Sequence, residues 1–286
     1  MSDKNILDGK AYALKVREDV RQKVSSFVDK GHRAPGLATV LVGEDAASQV
    51  YVRNKHRAAE KAGIANFHHQ LPADISQRDL LEAVHSLNEN DDVDGILVQL
   101  PLPQHLDADE VIEAISPKKD VDGFHPQSTS ALYQGKPTFV PCTPKGCMVL
   151  LESLGEDLTG KSAVVVGRSH IVGKPMAHLL LGANCTVTIC HSRTRDLASH
   201  TLKADIVVAA VGRMCMLTDE HISPGTIVID VGINRGEDGK LKGDVDFEKV
   251  APLAGAITPV PGGVGPMTIA MLMANTCVAY EARLGL

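Results

Sequence analysis

The sequence contains no tryptophan, and only 3% of its 286 residues are aromatic. Stacking surfaces are therefore scarce, and a ring on an otherwise polar helix needs a reason. No apolar run approaches the roughly 20 residues of a membrane-spanning helix. The opening "MSDKNILDGKAYALKVREDV" lacks an apolar signal core and becomes amphipathic at once. No export signal is expected, and the expected location is cytoplasmic. With a net charge of -6 there is no excess of positive charge, which argues against nucleic acid or anionic lipid as a general partner. Cysteines stand at 142, 147, 185, 190, 215 and 277, with no C-x-x-C pair and no zinc-ligand spacing to histidine. No metal site is expected, and the thiols read as buried and reduced. A P-loop is missing as well. The nearest stretch, "GRSHIVGKP", is one residue too long and has Pro175 where a magnesium-binding hydroxyl belongs.

What is present is an alternation of strands and helices in a chain long enough for two domains. In the first half, "GLATVLVG", "NFHHQLP" and "DGILVQLPLP" read as strands, each followed by an amphipathic helix. Ser48 and Ser76 are the expected N-caps of the first two helices. This βαβαβα order predicts a mostly parallel sheet covered by helices. At "PCTPKG", Thr143 as N-cap and Pro144 at the first helical position predict a helix to about Leu154. Beyond it, "KSAVVVG", "CTVTIC", "DIVVAAVG", "TIVIDVGIN" and "AGAITP" form a second β-rich set, closed by a helix with Pro266 in its first turn. The fold class is α/β in two domains, a mostly parallel N-terminal domain and a Rossmann-like C-terminal domain, with a cleft between them. The expected boundaries are 1–140 plus 267–286 for the first and 141–266 for the second.

The strand-turn-helix "KSAVVVGRSHIVGKPMAHLLL" gathers backbone N–H groups and a helix N-terminus, a place for phosphate. Its spacing departs from G-x-G-x-x-G: Gly167 opens the turn, Ser169 fills the second glycine position, and Val172-Gly173 the third. At the end of the next strand an NAD enzyme places a carboxylate on the ribose 2′-hydroxyl. Here stand Ser192, Arg193, Thr194 and Arg195 instead, with Arg168 inside the turn. Guanidinium and hydroxyl donors suit a 2′-phosphate, so NADP is the expected cofactor rather than NAD. A solvated strand end is the plainer reading of the same arginines.

In the first half, "SQVYVRNKHRAAEKAGI" places Tyr51 and Lys55 on one helix face, near the carboxyl edge of the first strand. The third strand delivers Gln99, whose amide needs a polar partner, and "KKDVDGFHP" brings Asp120 and Asp122. Singly, Lys55 reads as a solvated lysine and Asp122-Gly123 as a turn; jointly, at one sheet edge, they read as a reacting site. A lysine base must lose its proton near neutral pH, and burial would have to supply most of that shift.

Together, "YVRNK", "DGILVQLPLP", "KDVDGFHP", "PCTPKG", "VVGRSHIVGKP", "VIDVGINR", "GDVDF" and "ITPVPGGVGPMT" resemble the bifunctional methylenetetrahydrofolate dehydrogenase/methenyltetrahydrofolate cyclohydrolase family of the FolD type, over essentially the whole chain. The resemblance implies NADP-dependent oxidation of 5,10-methylenetetrahydrofolate, hydrolysis of the methenyl product to 10-formyltetrahydrofolate, and a homodimer. It implies Lys55 as the catalytic lysine, Gln99 paired with it, Tyr51 stacking on the folate and Asp122 binding the pterin. Leu100, Pro101, Pro261, Gly262 and Gly263 are implied as further substrate contacts, with Gly265 adding to the close backbone approach and Pro266 starting the last helix. Gly167, Arg168, Ser169, Ile171, Val172, His191, Ser192, Arg193, Ile233 and Thr276 are implied around the cofactor. Two other readings are an unrelated two-domain NADP oxidoreductase, with no water-adding activity and no need of Tyr51, and a cofactor-sensing protein without turnover. The intact set Lys55, Gln99 and Asp122 speaks against the sensor.

Overall fold

The computed structural model describes residues 5–286. The first half contains α1 (Gly9–Asp29), β1 (Gly36–Val42), α2 (Ala46–Ala62), β2 (Ala65–Leu71), α3 (Gln77–Glu89), β3 (Gly95–Val98), α4 (Ala108–Ala114), α5 (Pro126–Tyr133) and α6 (Cys142–Glu152). The second contains β4 (Ser162–Val166), α7 (Gly173–Gly182), β5 (Thr186–Cys190), α8 (Leu197–Thr201), β6 (Ile206–Ala209), β7 (Ile227–Asp230), β8 (Asn234–Arg235), β9 (Leu241–Lys242), α9 (Phe247–Val250), β10 (Ala256–Ile257) and α10 (Val264–Leu284). The chain divides into two compact units. The amino-half unit is Leu14–Cys142 with Ile269–Leu286, and the carboxy-half unit is Thr143–Thr268 with the described residues up to Ala13.

The early residues thus differ from the expectation of an uninterrupted 1–140. Leu7 donates its N–H to the carbonyl of Ile257 at 2.8 Å, Ile6 pairs with Ile257 in parallel, and the Lys10 N–H reaches the Gly262 carbonyl at 3.0 Å. Backbone pairing to β10 decides their membership.

In the amino-half unit the sheet order is β2-β1-β3, all parallel. β1 is buried along its whole length, which explains its unbroken apolar sequence GLATVLV. One face packs Ala38, Val40, Val42, Ile96 and Val98 against Leu80, Val84 and Leu87 of α3. Ser76 caps α3 as expected, accepting the Asp79 N–H. For α2 the cap is Asp45, not Ser48: its carboxylate accepts the Ser48 N–H at 2.8 Å, so Ser48 lies inside the first turn. Both residues are cap formers three positions apart, and the longer reach of Asp45 starts the helix earlier. Thr143 likewise lies inside α6, which begins at Cys142, and its hydroxyl pairs with that of Thr268 at 2.9 Å.

In the carboxy-half unit the sheet order is β10-β7-β6-β4-β5, again parallel. Valines 164, 166, 207 and 228 with Ile257 fill one side of its core. Strand order reverses about β1 in the first sheet and β4 in the second. Each reversal opens a crevice beyond the carboxyl ends of adjacent strands, where open α/β sheets hold their ligands.

Candidate active site

At the first reversal point, β1 leads into α2 and β3 leads into Gln99. The Gln99 N–H continues the ladder to the Val40 carbonyl at 2.9 Å, which holds the residue at the sheet edge. From α2, Lys55 reaches across, and its Nζ donates to Gln99 Oε1 at 2.9 Å. The other end of the amide is fixed too, since Nε2 donates to the Leu100 carbonyl at 2.7 Å. Leu100 is half-buried and Pro101 exposed beside it. Lys55 is only 9% exposed. Burial pushes its pKa below the usual lysine range, while the Asp122 and Cys142 charges pull it back up. The early start of α2 puts Lys55 in its third turn, beyond the reach of the helix dipole, so burial is the main cause. Tyr51 is on the same face and 36% exposed, so its ring is open to a flat ligand.

Asp122 arrives through an added parallel bridge between Ile96 of β3 and Asp120. Asp120 is structural. Its carboxylate accepts the N–H groups of Phe124 and His125, at 3.1 and 2.9 Å, and the Ser128 hydroxyl at 2.7 Å, closing the turn that presents Asp122. Burial raises the Asp122 pKa, opposed by the Lys55 charge and by the neighbouring Cys142 thiol. The unit therefore brings Lys55, Gln99 and Asp122 into one small cluster, with Cys142 as a member that the sequence reading did not name. Its signal was only proximity in fold, which spacing does not reveal.

At the second reversal point, Gly167 ends β4 with φ 133°, and a Cβ there would collide with the Ala210 carbonyl. A Cβ on Gly173 would stand 2.8 Å from the Arg168 nitrogen and collide with the Gly167 carbonyl. The tight turn from Gly167 to the start of α7 thus demands both glycines. Ser169 Oγ accepts the N–H groups of Val172 and Gly173, both at 3.2 Å, which leaves its hydrogen to point outward. Arg168 and Ile171 are exposed around this turn, and Val172 is half-buried. After β5, the His191 N–H donates to Thr194 Oγ1 at 2.8 Å and the Arg193 N–H to His191 Nδ1 at 3.1 Å. This fold of the loop presents Ser192, Arg193 and Arg195 to solvent. Arg168, Arg193 and Arg195 have no ion-pair partner among the described residues. Ile233 is 43% exposed beyond β7. Gly262 takes φ 114°, and the Gly263 N–H closes on the Pro259 carbonyl at 2.8 Å, so Pro261, Gly262 and Gly263 form a sharply turned backbone immediately before α10.

Thr276 does not join these residues. It is fully buried in α10, its hydroxyl donates to the Leu272 carbonyl at 2.8 Å, and it belongs to the amino-half unit. Missed instead were Asp230 and Asp244, both inside motifs quoted above. Asp244 accepts the N–H groups of Val211, Gly212 and Arg213 at 2.7, 2.9 and 2.8 Å, and so shapes the loop after β6. Asp230 accepts those of Gly232, Asp244 and Val245, each at 2.9 Å. Burial, opposed by these bonds, pushes Asp230 up to about 7 from 3.8. A raised carboxylate pKa means the folded protein takes up a proton that the unfolded chain has released. Its stabilising contribution is therefore full below about pH 4 and is lost as pH rises to about 7. Asp230→Asn should flatten the fall of melting temperature between pH 4 and 7 relative to the native protein. Parallel melting curves for the two proteins would refute that assignment.

The two parallel sheets agree with the two-domain matches to known proteins. Residues 7–122 match the tetrahydrofolate dehydrogenase/cyclohydrolase catalytic domain, and residues 141–284 match its NAD(P)-binding domain. The chain belongs to this family. The bifunctional protein FolD of Bordetella avium is 60% identical over 279 residues, covering 98% of each chain. The crystal structure of FolD methylenetetrahydrofolate dehydrogenase/cyclohydrolase from Campylobacter jejuni superposes with a TM-score of 0.95 at 48% identity, over 97% of this chain and 99% of that one. The Trypanosoma brucei enzyme, determined with NADP and an inhibitor, gives 0.93 at 38% identity over 98% of both chains. Among the described residues no group of three His, Cys, Asp or Glu side chains is placed to hold a metal ion, and no helix is long and apolar enough to cross a membrane.

Proposed function

We propose that the chain oxidises 5,10-methylenetetrahydrofolate with NADP and hydrolyses the methenyl product to 10-formyltetrahydrofolate, and that Lys55, Gln99, Asp122 and Tyr51 carry the chemistry. The observation that supports it most is the 2.9 Å bond from Lys55 Nζ to Gln99 Oε1 at the first reversal point. Tyr51 offers a platform to the pterin ring, and Asp122 accepts its N–H groups. Water adding to the methenyl carbon loses two protons on its way to becoming the formyl oxygen; the ring nitrogen that departs gains one, and the other is released to solvent. A neutral Lys55 amine can take a proton from the water and return it to the ring nitrogen, while Gln99 keeps the amine aimed. Oxidation asks less of side chains, because the reacting carbon is already activated by two nitrogens and orientation dominates.

The residues of the second reversal point fit NADP. The Gly167–Gly173 turn is a cradle that any Cβ would fill, and Arg168, Ser192 and Arg193 are donors free to meet a 2′-phosphate. Bound NADP supplies the hydride acceptor. Ser169 and the start of α7 would hold the pyrophosphate, Ile171 and Ile233 would offer apolar contacts, and Pro261, Gly262 and Gly263 would allow close backbone approach. A homodimer and a cytoplasmic location complete the reading. The first is supported by exposed Ile189 on the edge strand β5 and exposed Leu181 on α7, the second by six free cysteines.

The test is initial rates of methylenetetrahydrofolate oxidation with NADP and with NAD. The native protein should prefer NADP, and Arg193→Ser should raise the KM for NADP about tenfold while leaving that for NAD within about twofold, the worth of one charge-assisted bond. No turnover with either cofactor would overturn the assignment.

A further inference from the structure

The amide of Asn275 sits in an apolar stretch of α10 and is spent on the two chain segments that flank Asp122. It is 1% exposed among Met271, Leu272 and Met273. Its Nδ2 donates to the Val121 carbonyl at 2.8 Å and to the Val140 carbonyl at 3.1 Å, and lies 3.6 Å from Cys142 Sγ. The Val121 carbonyl is shared, because the Cys142 thiol also donates to it at 3.4 Å. That carbonyl and the Asp122 nitrogen lie in one rigid peptide plane, so fixing the first orients the residue that follows. Val140 begins the other segment. It packs against Gly123, where φ is 76° and a Cβ would stand 2.6 Å from the Pro141 nitrogen. Packing alone would be served by a leucine of similar volume; the amide matters because two carbonyls face it, the Val121 one buried and the Val140 one part-buried. These residues all belong to the amino-half unit.

We infer that Asn275 is a positioning residue for both reactions, aiming the Asp122 carboxylate at the pterin and at Lys55 without touching either. The inference rests on reading Lys55, Gln99 and Asp122 as the reacting cluster. Asn275→Leu removes both donors and frees the plane that carries Asp122. Asn275→Ser keeps one donor. Asp122→Asn removes the group on which Asn275 would act.

The experiment is a double-mutant cycle in the full chain, with KM and kcat for 5,10-methenyltetrahydrofolate hydrolysis, and NADP affinity as the check on folding. Asn275→Leu should lower kcat/KM by roughly 10- to 100-fold, the scale of a misplacement of about 1 Å, mostly through KM. Asn275→Ser should recover part of the loss, and NADP affinity should stay native in both. In the Asp122→Asn background, Asn275→Leu should cost less than about twofold, because its route is already cut. The same fold-loss in both backgrounds, or native kinetics for Asn275→Leu, would overturn the inference. If Asn275→Leu does not bind NADP, Asn275→Ser carries the same comparison. Native kinetics for Asp122→Asn would instead overturn the cluster reading itself.

Discussion

Lys55→Met should lower the hydrolysis of 5,10-methenyltetrahydrofolate by about 10³-fold or more, while NADP binding stays native and oxidation keeps a measurable rate. Proton transfer by a placed side chain is worth about 10² to 10⁴ in rate. Lys55 is the one amine that bonds Gln99 in this cluster. Methionine matches its length and suits the burial, so the site should keep its shape. Two groups lose by the change. Gln99 Oε1 is left without its donor, and Asp122 without the charge that offsets its burial. Asp122 should then hold its proton to higher pH and bind the pterin less well, which raises KM for both reactions. Oxidation suffers through KM alone; hydrolysis suffers through kcat as well. Single-turnover hydrolysis of the methenyl substrate, beside steady-state oxidation, separates the two. Equal losses in both activities would contradict the assignment.

Gly167→Ala should cost NADP-dependent oxidation about 100-fold and leave hydrolysis within about threefold. At φ 133° a side chain is strained, and the added carbon meets the Ala210 carbonyl just beyond the neighbouring strand β6. Strain of about 1 to 3 kcal/mol, with displacement of the turn besides, converts at 1.4 kcal/mol per tenfold to that loss. On the proposed function, hydrolysis relies on Lys55, Gln99 and Asp122 of the amino-half unit and needs no cofactor, so it serves as the internal control. NADP titration by fluorescence, with melting temperature alongside, checks the cause. Native NADP affinity in the variant would mean that the turn is not where the pyrophosphate sits.

Most strands were legible because parallel strands buried on both faces read as unbroken apolar runs, as β1, β3, β4, β6 and β7 do, whereas the edge strand β5 is largely exposed and carries threonines between its apolar residues. Helix starts were less legible. Asp45 and Ser48 are both good caps, and only the bond between them shows which one ends the helix. α5 was not expected at all, since "HPQSTSALY" lacks apolar periodicity; its start is set by His125, whose Nδ1 accepts the Gln127 N–H. Lys55, Gln99 and Asp122 could be placed at one sheet edge from topology and spacing. The burial that changes the lysine's chemistry could not. Thr276 failed for a related reason: a hydroxyl in an apolar helix is as often spent on the carbonyl one turn back, and this one is. Asp230 and Asp244 hold the loops of the second sheet through backbone N–H groups, which carry no residue-specific mark in a sequence.

The central claim is that burial makes Lys55 an amine able to accept a proton in the working range of the enzyme. The direct measurement is the pH titration of the lysine ε-carbon resonances in labelled native protein, with the Lys55 signal assigned by its absence from Lys55→Met. The account predicts a midpoint for Lys55 well below the ordinary 10.5, and an acid limb of hydrolysis that follows it. A Lys55 signal that titrates with the surface lysines would contradict it.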